Sequence, residues 1–194
     1  MDKNISPQES LSIITGMIQE ARQRYEENGL VFMVWGGSIA LVALAQFYLM
    51  WDKLESISGF PYMALVLPGI FTGIYYSRKG KGAPKRSNPI SRIMKFVWLA
   101  LALNLFILGF GFFFKLGYNL IPVIMILQGL GLILSGSAIR NRIFLGAGVL
   151  TQILAYVGFF TAPLYQPLLL AGMGIFALFI PGYALYRAKK QKNV

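Results

Sequence analysis

The sequence predicts an all-α polytopic membrane protein: six transmembrane helices, with the option of three repeated hairpins, preceded by an N-terminal cytoplasmic amphipathic helix. Three observations predict it. Apolar residues make up 56% of the 194 positions and charged residues only 13%, about half the charged share usual in soluble domains. The apolar residues gather into six runs, each near the 17 to 25 residues that cross about 30 Å of hydrocarbon at about 1.5 Å per residue. All seven acidic residues (Asp2, Glu9, Glu20, Glu26, Glu27, Asp52, Glu55) lie in the first 55 positions, and the basic residues beyond them sit in short clusters between the runs.

The first element is too polar for the bilayer. Ser6-Pro7-Gln8-Glu9 offers a capping serine, a proline at the first helical position and an acid three residues after the cap. Asn28-Gly29 marks the stop. Between them Leu11, Ile14, Ile18, Ala21 and Tyr25 recur at spacings of three and four, widened by Ile13 and Met17, with Glu9, Glu20, Gln23 and Glu27 on the opposite face. The start is not basic and no short apolar core with a small-residue cleavage site follows, so a cleaved signal peptide is not expected.

The six spans fall at Leu30–Trp51, Pro61–Ser77, Ile93–Phe114, Leu120–Ile139, Ile143–Thr161 and Gln166–Tyr186. The second is the shortest and contains Pro68. Sixteen of the eighteen basic residues lie before the first span, in or directly flanking the second and fourth connections, or after the sixth span. Lys53 and Lys115 alone occupy the other side. By the positive-inside rule both ends and the even connections are cytoplasmic. Trp and Tyr collect near the ends of the runs, the depth they favour at a headgroup boundary. Residues 1–29 thus form the amphipathic helix, 30–187 the bundle and 188–194 a basic tail. Paired as hairpins, each second helix opens near a proline (Pro61, Pro122, Pro167) and ends at an arginine (Arg78, Arg140, Arg187). Each first helix carries an amide (Gln46, Asn104, Gln152). A triplicated hairpin and convergent membrane grammar both produce that pattern.

Polar side chains are expensive in hydrocarbon, which singles out Gln46, Asn104, Gln128 and Gln152. Either they line a path for a polar group, or they hydrogen-bond between helices for about 0.6 to 2 kcal/mol each. Both readings require them to face the bundle. Gly69 and Gly73 have the spacing that lets two helices approach closely and are assigned to helix packing. No glycine pattern follows a strand or precedes the Lys-Ser/Thr pair of a phosphate loop.

Chemistry is restricted by what is missing. The chain has no Cys and no His, which removes thiolate and imidazole metal sites and disulfides. After Glu55 there is no carboxylate side chain for an intramembrane acid pair, a lipid phosphotransferase metal site or a proton relay. No enzyme activity, cofactor, metal site or nucleic-acid binding is expected. Asp52 and Glu55 around Lys53 read as a solvated turn. The run Arg78-Lys79-Gly80-Lys81-Gly82-Ala83-Pro84-Lys85-Arg86 suits anionic headgroups without specificity. Segment Pro7–Asn28 carries a net charge of the wrong sign for an acidic membrane surface, so its apolar stripe of Leu11, Ile14, Ile18, Ala21 and Tyr25 is expected to dock on protein.

The stretch Glu9-Ser10-Leu11-Ser12-Ile13-Ile14-Thr15-Gly16-Met17-Ile18, the later Trp35-Gly36-Gly37, and Gly129 through Gly158 resemble a family of multi-span membrane proteins from Bacteroidetes-type bacteria, over roughly a third of the chain. The resemblance implies a bacterial cytoplasmic membrane and, because members are often encoded beside a small winged-helix transcription regulator, such a regulator as a partner. It carries over no catalytic or binding residue. Two functions follow as expectations. One is a non-catalytic membrane anchor or sensor whose N-terminal helix docks a cytosolic protein. The other is a small transporter or flippase for a neutral or amphiphilic molecule, with Gln46, Asn104 and Gln152 along its path. Beyond the lipid bilayer and that partner, association with further copies of itself is left open.

Overall fold

The computed structural model describes residues 7–26, 29–79 and 88–192. Among them the secondary structure is helical throughout. Seven long elements stand out. Helix α1 is Pro7–Glu26 and α2 is Gly29–Trp51. Helix α3, Val66–Lys79, is entered through a 3-10 segment Phe60–Leu65. Helix α4 is Pro89–Gly111, α5 Leu120–Ala138 and α6 Arg142–Phe160. Helix α7 is continuous but uneven: Gln166–Met173, a π-helical turn Gly174–Phe179, and Ile180–Lys192. Six helical spans are long and apolar enough to cross a membrane: Gly29–Trp51, Glu55–Arg78, Pro89–Gly111, Phe114–Ala138, Arg142–Phe160 and Pro163–Arg187. The chain is an integral membrane protein of the multi-pass kind.

Each expected span is found, with shifted ends. The third begins at Pro89 instead of Ile93, because Asn88 caps it and Pro89 takes the first helical position, where its missing N–H is harmless. The second reaches back to Glu55 through 3-10 turns that precede Val66, with Pro61 in the first turn of the 3-10 segment and Pro68 in the first turn of α3, where a missing N–H is harmless. The expected stops and starts at Ser6, Asn28 and Gly29 fall largely on positions 1–6 and 27–28, outside the described residues, as do most of the basic loop (80–87) and the end of the tail (193–194).

The spans are not equivalent. Within an 18-residue apolar stretch of each span, 39%, 44%, 33% and 50% of the residues are buried for α2, α5, α6 and α7, against 6% for α3 and α4. A four-helix centre is therefore flanked by two loosely applied helices. Its interior is filled by Ile39, Ala43, Met125, Leu132, Phe144, Ala155, Met173 and Leu178. The most extensive packing joins α5 to α6 and α2 to α7, which belong to different hairpins in the expected pairing. The three hairpins therefore do not pack alike. The first two nevertheless share a bond: Trp35 Nε1 donates to Thr72 Oγ1 at 2.9 Å, and Trp98 Nε1 donates to Ser135 Oγ at 3.0 Å, each across a separation of 37 residues.

Close approach of α2 to α7 depends on glycine at matched positions. A methyl group built on Gly36 would lie 2.5 Å from the Gly174 carbonyl oxygen, and one on Gly29 would lie 2.7 Å from that of Gly182. Only hydrogen fits at either place. The two glycines of α2 are seven residues apart, whereas their partners in α7 are eight apart. The π-helical turn takes up the extra residue, so both pairs meet.

The connection between α5 and α6 has no spare residue. Asn141 N donates to Gly136 O at 2.8 Å and Arg140 N to Ser137 O at 3.2 Å, closing α5 in a Schellman motif with Arg140 at φ 50°. The Asn141 side chain then opens α6 by accepting from Ile143 N at 2.9 Å and Phe144 N at 3.4 Å.

Candidate functional site

Among the described residues one buried amide ties the N-terminal helix to the bundle. Asn88 precedes α4 in extended conformation, and its Oδ1 accepts from Ile90 N at 3.0 Å and Ser91 N at 3.4 Å. Its Nδ2 faces the other way and donates to Met17 O at 2.8 Å and to Glu20 Oε2 at 3.1 Å. A single side chain thereby satisfies the first turn of a membrane span and ties α1 to it. The charged acceptor makes the Glu20 bond the stronger type. Helix α1 also touches the final part of α7.

This anchorage divides the apolar stripe of α1. Met17 and Ile18 are half-buried beside the tie, while Leu11 (64% exposed), Ile13 (44%) and Ile14 (53%) are open. The side chains of Ala21 and Tyr25 lie outside the described residues. Of the five expected docking residues, Leu11 and Ile14 are thus presented, and Ile18 is partly used within the chain.

The intramembrane amides are not gathered along one path. Gln46 Oε1, between α2 and the entry to α3, accepts from Tyr62 Oη at 2.7 Å. Gln152 Nε2 donates across the α5–α6 seam to Ile126 O at 2.9 Å, and its side chain crowds Gly129. Gln128 buries an Oε1 that has no hydrogen-bond partner among the described residues. Asn104 departs from the expectation that all four face the bundle. It is exposed, and its Nδ2 donates to Ala100 O of its own helix at 2.9 Å. Helix α4 meets the centre through Met94, Trp98 and Leu101, and Asn104 lies off that contact line. Gly69 and Gly73 likewise are not packing positions within the described chain: nothing lies within 4 Å of a methyl group built on either. The 3-10 entry to α3, through Tyr62 and Leu65, carries most of that span's contact with the centre.

Several residues that organise these surfaces escaped the sequence reading. Asn88-Pro89 is a legible cap signature, hidden because Arg92 and Lys95 put the expected start of the span at Ile93. Gln166, at the start of the sixth expected span, is buried, with Nε2 donating to Gly158 O at 3.1 Å and Thr161 O at 3.3 Å and Oε1 without a partner among the described residues. Among the described residues no group of three or more Asp, Glu, His or Cys side chains is placed to hold a metal ion. Comparison with family models, with curated proteins and with solved structures returns no match.

Proposed function

We propose that the chain is a non-catalytic membrane anchor or sensor whose N-terminal helix docks a cytosolic protein. The observation that carries this reading is the open half of the α1 stripe: Leu11, Ile13 and Ile14 stay exposed although the same helix is fixed to the bundle by Asn88. An amphipathic helix laid into a partner's groove uses anchors at such spacings. The acidic face makes protein a better occupant than an anionic bilayer surface. The resemblance adds a transcription regulator as the partner class, and the positive-inside asymmetry puts both ends in the cytoplasm.

The transporter reading has less behind it. Gln46 and Gln152 each serve a different interhelical seam, and Asn104 faces away from both. Interhelical hydrogen bonding accounts for the first two without a transported ligand.

Crosslinking in native membranes tests the docking reading, comparing the intact chain with Leu11→Asp/Ile14→Asp. Burying two aliphatic side chains stabilises a complex by about 3 to 6 kcal/mol, so recovery of a defined cytosolic protein should fall more than tenfold while the variant remains membrane-integrated. Equal recovery by both chains, or none by either, would overturn it.

A further inference from the structure

The geometry points to a second copy of this chain packed along α4, with Asn104 meeting Asn104 across a two-fold axis normal to the membrane. Asn104 lies seven residues, or about 10 Å, inside the Gly111 end of a helix long enough to cross the bilayer. That depth is hydrocarbon, where acyl chains offer neither donor nor acceptor. One amide N–H is met by Ala100 O, but Oδ1 has no partner among the described residues. An acceptor so placed calls for a donor at the same depth outside the chain.

A second copy supplies one without further assumption. Two copies inserted in the same orientation carry Asn104 at equal depth, and an amide is both donor and acceptor, so the contact is self-complementary. The residues around it have the required spacing. Ile93, Val97, Ala100, Asn104, Ile107 and Gly111 follow at alternating steps of four and three, the seam of two parallel helices with one polar position fixing the register. All are exposed except Val97, which is half-buried. Small Ala100 and Gly111 on either side of the amide allow close approach. Helix α3 is equally uncovered and carries Gly69 and Gly73, but Thr72, the polar group beside them, already bonds Pro68 O and Trp35.

The absence of cysteine from the sequence makes the test direct. Single cysteines are placed in the full chain in its native membrane at Ala100→Cys and Ile107→Cys on the seam, and at Phe106→Cys on another face of α4. Oxidation should give dimers at Ala100→Cys and Ile107→Cys and several-fold fewer at Phe106→Cys. Adding Asn104→Leu to Ile107→Cys should lower the dimer yield about tenfold, while Asn104→Gln, which keeps both donor and acceptor, should restore it. Equal crosslinking on both faces would overturn the proposal. So would an Asn104→Leu chain that integrates normally and crosslinks as before, or adducts only with a different protein. If Asn104→Leu does not fold, the contrast between Ile107→Cys and Phe106→Cys decides alone.

Discussion

Asn88 shows how much one side chain can couple. Its oxygen starts α4 and its nitrogen holds α1, so the two roles can be separated by changing one atom. Asn88→Asp keeps the capping oxygen but replaces the donor with an acceptor and sets a carboxylate beside Glu20. The cap is worth about 1 kcal/mol and should survive, whereas α1 should detach. Limited proteolysis near Met17 is expected to quicken several-fold in Asn88→Asp with little change in the thermal stability of the bundle; unchanged protection would show that the contact with α7 holds α1 by itself. This coupling was hidden in the sequence because Asn88-Pro89 announces a helix start and nothing about what the free end of the amide reaches. Trp35 and Trp98 sit near the ends of their runs, where the sequence pattern predicts boundary aromatics. Their indole N–H groups instead bond Thr72 and Ser135, and the equal separation of the two pairs was the available signal.

At the level of elements, the six spans were legible because apolar length decides membrane crossing, and the α1 stripe was legible because polar and apolar faces contrast there. What those spans turn toward one another was not. In a bilayer the lipid-facing and core-facing sides of a helix are both apolar, so periodicity carries little information about inside and outside. Glycine spacing misled for the same reason: Gly69 and Gly73 satisfy a packing motif yet stand in the open, while Gly29 and Gly36, seven apart, form a close seam with a partner helix that needs a π-helical turn to match them. The two sites should respond differently to one methyl group. Gly36→Ala would press on the Gly174 carbonyl and should destabilise the fold by about 1 to 3 kcal/mol, measured as a lowered thermal midpoint in detergent. Gly69→Ala should leave that midpoint within about 0.5 kcal/mol of the original.

For the whole molecule, the seam between α2 and α7 joins the first of the six described spans to the sixth. A ribosome delivers these helices one at a time, so α2 enters the bilayer with its glycine face bare and stays so while four further spans are synthesised. Among the membrane spans the α2–α7 seam is the contact of greatest sequence separation, and it cannot form until α7 has been synthesised. Pulse-labelled chains cut before Pro163 should insert, yet be cleared by quality-control proteases several-fold faster than full-length chains; equal half-lives would mean that α5 and α6 stabilise α2 unaided. During biogenesis Gly29 and Gly36 thus form a vacant docking strip, one that stays unoccupied until α7 arrives.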